Sequence, residues 1–199
     1  MRLNAASFRL PLLLSALVLA GCGSVSGLTR EQSDAPARIA DFSRVEVIDF
    51  SASDDSKSED IKQAEAHAKS LAEAQTSFAD KIAEAIRVTG AFAEVARAPG
   101  TRPALRVSGD ISRYDEGNIV ARGLTGFAGQ THFDARVDVA DADSGRSLAT
   151  LTVDRNSWPL PVGASLSTLQ TTNFFMNNAA KKIAEELAAK KGVAVPKSE

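Results

Sequence analysis

The stretch from Thr131 to Ala140 restricts what this chain can fold into more than any other. Thr131, Phe133, Ala135, Val137 and Val139 alternate with His132, Asp134, Arg136 and Asp138. That is the two-residue period of a strand with one face buried and one in water. Asp141-Ala-Asp-Ser-Gly145 then supplies a hairpin turn, and Ser147 to Val153 returns with Leu148 and Leu151 inward. An isolated hairpin is marginal in water, so its apolar face needs a cover.

The cover comes from two amphipathic stretches. Ile61, Ala64, Ala68, Leu71, Gln75, Phe78, Ile82 and Ile86 recur at three-and-four spacing, which predicts one apolar helix face. Ser58 is placed to cap its start, with Glu59 and Asp60 at the positive end of the dipole, Glu65 and Lys69 as an i,i+4 pair, and Gly90 at its end. A second helix is predicted from about Ser165 to Lys191, with Leu166, Leu169, Asn173, Met176, Ala180, Ile183 and Leu187 on one face and Gly192 after it.

Further strands are predicted at Arg44 to Phe50, at Phe92 to Val95 as a short extended piece, and at Ala104 to Tyr114 with bends at Ser108-Gly109. Ser51 to Ser58 reads as a polar loop. The order β-α-β-β-β-β-α implies a single α+β domain: a mostly antiparallel sheet of about five strands with both helices packed on one face.

Ahead of this domain, Arg2 and Arg9 precede an apolar run from Leu10 to Ala20. The run is too short to span a bilayer, which takes roughly 20 residues, and fits a secretory leader. It ends in Leu19-Ala20-Gly21-Cys22, which resembles the lipobox of bacterial lipoproteins. The resemblance implies a diacylglyceryl group on the Cys22 thiol, cleavage between Gly21 and Cys22, and acylation of the new amino group. Each buried CH₂ contributes about 0.8 kcal/mol, so several acyl chains anchor firmly. Gly23 and Ser24 follow where an Asp would mark inner-membrane retention; by that family rule the expected location is the periplasmic face of the outer membrane.

The expected division is therefore a signal peptide at 1–21, a lipidated N-terminus and flexible linker at 22–40, the α+β domain at 41–192 and a polar tail at 193–199. A flexible coil of that linker length spans about 25 Å on average and about 60 Å extended.

Cys22 is the single cysteine, so neither a disulfide nor a thiolate metal cluster is expected. Losing Arg2 and Arg9 with the leader takes the net charge from −2 to about −4, which argues against nucleic acid and against electrostatic binding to anionic lipid. One Trp and one Tyr disfavour a sugar-stacking surface.

The candidate binding residues lie in two segments. Gly117, Gly123, Gly126 and Gly129 are closely spaced glycines that can present N–H groups to an anion. Their spacing fits neither a dinucleotide fingerprint nor a phosphate loop, so a bent crossing between strands is the competing reading. Arg122 is the one charge there, able to hold a carboxylate or to pair with Asp115 or Glu116. Trp158-Pro159-Leu160-Pro161 is a rigid apolar segment, read either as a partner surface or as a lid on the core. Asp141 and Asp143 lack the remaining ligands of a calcium loop, and His67 and His132 lack a cysteine partner for zinc. No G-x-S-x-G elbow occurs.

Tyr114-Asp-Glu-Gly-Asn118, Arg122-Gly-Leu-Thr-Gly126-Phe127-Ala-Gly129 and the Val137-to-Arg146 strand and turn resemble a bacterial lipoprotein family classed as a domain of unknown function. The helix-flanked sheet also resembles, in architecture, the periplasmic domains of curli-secretion-type lipoproteins. Neither resemblance implies a catalytic residue. The functional expectation is a lipid-anchored interaction or scaffolding module without catalysis or cofactor, partnered by envelope proteins and the membrane, with self-association left open. The alternative is a small-ligand or anion binder using 117–129.

Overall fold

A computed structural model of the chain describes residues 24–25, 38–54, 60–117, 130–156 and 170–194. They form β1 (Ser24–Val25), β2 (Arg44–Val47), β3 (Ser51–Ala52), α1 (Ile61–Thr89), β4 (Glu94–Ala96), β5 (Leu105–Asp115), β6 (His132–Asp141), β7 (Ser147–Asn156) and α2 (Thr172–Lys190). The fold is α+β. One sheet runs in the order β1-β7-β6-β5-β2-β4, and β3 takes up a second place beside β5.

The antiparallel half follows the alternation in the sequence. Along β6, Phe133, Ala135, Val137 and Val139 are buried toward the helices, and β7 returns with Leu148, Leu151 and Val153 buried. The other half was not expected: β2 runs parallel to both β4 and β5. Its cause is α1, which carries the chain from the end of β2 back to the start of β4, as a parallel neighbour requires. β3 continues this edge, with Ser51 opposite Asp110 and Ala52 opposite Ile111, so the expected polar loop begins as strand.

β5 is one continuous strand, without the bends expected at Ser108-Gly109. Its irregularity is a bulge between Ile111 and Arg113. A bulge inserts one residue and shifts the alternation. Leu105, Val107 and Ile111 point inward before it, and Tyr114 after it.

Three details of the helices differ from expectation. First, the cap of α1 is Asp60, whose Oδ1 accepts the N–H groups of Lys62 and Gln63 at 2.9 and 3.1 Å; Ser58 lies outside the described residues. Second, the buried face of α1 starts only at Ala74 and continues through Phe78, Ala79, Ile82, Ala83 and Ile86, leaving Ile61 and Ala68 exposed. A 29-residue helix is about 44 Å long, whereas the ten-residue β6 spans about 33 Å. The first turns therefore overhang the sheet. Third, Asn173 is exposed and Phe175 is buried. Thr171 caps α2 by accepting the Phe174 N–H at 3.2 Å, and Phe175, Met176, Ala179, Ala180, Ile183 and Leu187 form the stripe. Gly90, at φ 64°, ends α1 as expected.

The two helices pack against each other over one face of the sheet. Phe78 joins the layers, 4.8 Å from the Phe50 ring and edge-on to Phe133 at 4.9 Å. Replacing Asp60 by alanine is expected to cost about 1 kcal/mol of stability in urea denaturation, with Asp60→Asn near wild type.

The amino-terminal stretch also touches the sheet. Ser24 pairs opposite Asp154 and Val25 opposite Val153. Further on, Lys191 Nζ donates to the carbonyls of Ala40 and Phe42 at 2.9 and 2.8 Å, tying the end of α2 to the approach to β2.

Candidate functional site

Polar side chains gather where β5 ends and β6 begins. The bulge in β5 turns Tyr114 inward, beneath the overhanging first half of α1. Its hydroxyl donates to Glu116 Oε1 at 3.1 Å and accepts from Thr172 Oγ1 at 3.4 Å. Ser70 Oγ donates to the other Glu116 oxygen at 3.2 Å, and Thr131 Oγ1 to the Glu116 carbonyl at 3.1 Å. Asp54, at the end of the β3 edge, accepts the Tyr114 N–H at 2.9 Å, and its Oδ2 lies 3.3 Å from His67 Nε2. One cluster thus ties α1, α2, β5 and the start of β6 together.

Burial, joined by the neighbouring Glu116 charge, pushes the Tyr114 phenol up to about 12. At neutral pH it is therefore a proton donor and not a base. The Ser70 hydroxyl faces a carboxylate that also accepts from Tyr114.

This cluster is also the root of the glycine-rich stretch. Gly117 has φ 66°, a left-handed conformation suited to glycine. Its N–H donates to Asp115 Oδ1 at 2.7 Å. The first amide of the supposed anion nest is already satisfied, by a carboxylate that repels anions. Asn118, Arg122, Gly126, Phe127 and Gly129 lie outside the described residues, as do Cys22 and Trp158.

A second polar centre sits on the opposite face of the sheet. Glu46, between Val45 and Val47 in β2, is fully buried. Arg102 Nη1 and Arg106 Nε donate to its two oxygens at 2.6 and 2.8 Å, and Arg102 Nε reaches Asp143 at 3.0 Å. Burial pushes the Glu46 carboxyl up, but the two guanidinium groups outweigh it and hold the group below its ordinary value. Arg44 pairs with Glu94 beside it. Arg97 binds Asp80 on α1, Asp49 and the Val47 carbonyl, pinning helix to sheet. No motif announced these residues; the single hint was a charged residue at every second position of an otherwise apolar strand.

The Asp141 turn is a turn. Its carboxylate accepts the Ser144 hydroxyl at 2.6 Å and the Asp143 N–H at 3.0 Å, which lowers its pKa. Among the described residues no three His, Cys, Asp or Glu side chains are grouped to hold a metal. His132 stands on the polar face of β6 near Asp134, whose carboxyl is pushed up by burial and by Asp154 opposite it. On the helical face a groove of ≈ 510 Å³ runs between α1 and α2, with Ala85, Ala180 and Ala184 on its floor and Lys81, Glu84 and the exposed Val88 on its rim.

The class these features define is a two-layer α+β domain, with paired helices on one face of a mixed sheet and buried polar ties at its ends. The chain belongs to the family described as "Domain of unknown function (DUF4410)", which matches residues 45–161. No curated protein matches it by sequence. Among solved structures it is similar to the PelC dodecamer from Paraburkholderia phytofirmans, at 16% identity over 80% of this chain and 98% of that one, TM-score 0.47. It is likewise similar to a variant of that dodecamer, at 15% identity over 81% and 96%, TM-score 0.44. Protein XCC0632 from Xanthomonas campestris is similar at 14% identity over 84% and 97%, TM-score 0.46. These likenesses concern the fold alone.

Proposed function

We propose that this chain is a lipid-anchored, non-enzymatic interaction module of the bacterial envelope, held at the periplasmic face of the outer membrane through Cys22. The observation that carries the reading is the state of the Tyr114 cluster. Ser70, Tyr114, Glu116, Thr131 and Thr172 bond one another, an arrangement that fixes helices to a sheet, and the carboxylate that faces Ser70 is already engaged by the Tyr114 hydroxyl. The helical groove, with its apolar floor and charged rim, suits contact with another protein. The anchor rests on Leu19-Ala20-Gly21-Cys22.

Cells fed a palmitate analogue are expected to label the wild-type chain and not Cys22→Ser, which should accumulate as uncleaved precursor. Equal labelling of both would sink the anchor. Turnover in a broad esterase and peptidase screen, abolished by Ser70→Ala, would overturn the non-enzymatic reading.

A further inference from the structure

We propose that the end of the domain carrying the Tyr114 cluster is the surface that rests on the membrane, with Ile61 and Phe174 as its apolar contacts. The inference rests on the lipid anchor proposed above and adds the direction in which the domain faces.

The first observation is the polarity of β1. It runs antiparallel to β7, with Ser24 opposite Asp154 and Val25 opposite Val153. The chain before Ser24 therefore leads toward the carboxyl end of β7 at Asn156. Cys22 is two residues before Ser24, at most about 7 Å of extended chain. Acyl groups on Cys22 are thereby assigned to one end of the sheet.

The second observation is what else lies at that end. β5 stops there at Asp115, opposite His132 at the start of β6, and His132 is in turn opposite Asn156. α2 starts there, with Thr172 on the Tyr114 hydroxyl. α1 starts beyond it: Ser70 reaches Glu116, and Ile61 precedes Ser70 by nine residues, about 14 Å of helix.

The third observation is exposure. Three large hydrophobic side chains are exposed among the described residues: Ile61 at 75%, Phe174 at 43% and Val88 at 78%. Single exposed apolar residues are ordinary. Here Ile61 and Phe174 each open a helix at the end to which the lipid leads, and Val88 lies at the far end of α1. As sequence, the connections between Gly117 and Gln130 and between Asn156 and Gln170 hold a single charged residue, Arg122. With a net negative chain, the surface that fits is a zwitterionic phospholipid layer entered by apolar side chains, not an anionic one bound by charge.

The test uses the full chain, purified from bacterial membranes and reconstituted in phosphatidylethanolamine and phosphatidylcholine vesicles with brominated acyl chains. Trp158 is the sole tryptophan, so Trp158→Phe gives a silent background for Ile61→Trp, Phe174→Trp and Val88→Trp, one at a time. Fluorescence is expected to be lost at 61 and 174 and kept at 88. Equal quenching at all three, quenching confined to 88, or none at all overturns the orientation. Hydroxyl-radical footprinting of the unmodified chain checks the same point should Trp158→Phe fail to fold: oxidation of Ile61 and Phe174 should fall on vesicles while that of Val88 holds. Intact mass reports acylation separately. A chain without acyl groups would refute the anchor, and the same variants joined through Cys22 to a maleimide phospholipid would still decide the orientation.

Discussion

Gly109→Ala is expected to destabilise the domain by about 1–3 kcal/mol, and Gly109→Val to prevent folding, because inserting atoms into a packed core forces backbone shifts. Gly109 lies mid-strand in β5, opposite Val137 of β6. A Cβ there would stand 2.6 Å from the Phe50 ring, and closer still to the carbonyl oxygen of Arg136. The carbonyl belongs to the sheet backbone and has no rotamer to retreat into. Phe50 is backed by Phe78, 4.8 Å away between ring centres, so it cannot withdraw without opening the core. Urea denaturation of Gly109→Ala against wild type measures the effect. An unchanged midpoint would mean that β5 and β6 do not approach in this register.

The second large effect is expected at the Glu46 centre, and it is asymmetric. Arg102 and Arg106 are each about one-third exposed, while Glu46 is fully buried. Removing Glu46 leaves two guanidinium groups that can turn to water. Removing both arginines as Arg102→Met and Arg106→Met leaves a buried carboxylate without a counter-ion. Breaking a buried pair from one side typically costs about 3–5 kcal/mol. Adding Glu46→Met to the double variant should recover much of that loss, since the stranded charge is gone.

The pH dependence should invert between the two chains. In the wild type the folded carboxyl is held below its ordinary value. Its contribution is thus present above the unfolded pKa and lost as pH falls through the folded one. In the double arginine variant only burial remains, which raises the folded pKa, so that stability should improve as pH falls. Thermal melts across the acid range separate the two patterns. A double variant that loses stability on acidification as the wild type does would refute this account of Glu46.

The parts of the fold that were legible in the sequence are those written in short-range period. The alternation from Thr131 to Val139, the turn at Asp141 and the stop at Gly90 each depend on a few adjacent residues. What was not legible depends on residues far apart. Glu46 meets arginines 56 and 60 positions later, and no local pattern announces them. The cap of α1 fell on Asp60 because a nearby carboxylate, like Ser58, can accept the first helical amides, and sequence does not rank the two. Of the Tyr114 cluster the sequence marks only Gly117 as a candidate; Tyr114 and Glu116 are notable for the stretch they stand in and His67 for the zinc site it does not make, and their meeting depends on the bulge after Ile111 and on how far α1 overhangs the sheet. A bulge leaves the strand's composition unchanged and alters only its register.

The place of β2 has a consequence for the order in which the molecule can assemble. β2 lies between β4 and β5, two strands that both follow it in the chain, and its partner Arg106 comes 60 residues after Glu46. The β5-β6-β7 meander closes through near neighbours, whereas β2 must wait for a distant loop to close, the kind of pairing that slows folding. A chain delivered amino-terminus first thus holds β2 without its β5 partner until more than half its length has emerged. Until β5 arrives, Val45 and Val47, which the finished fold buries completely, lack the strand that completes their place in the sheet.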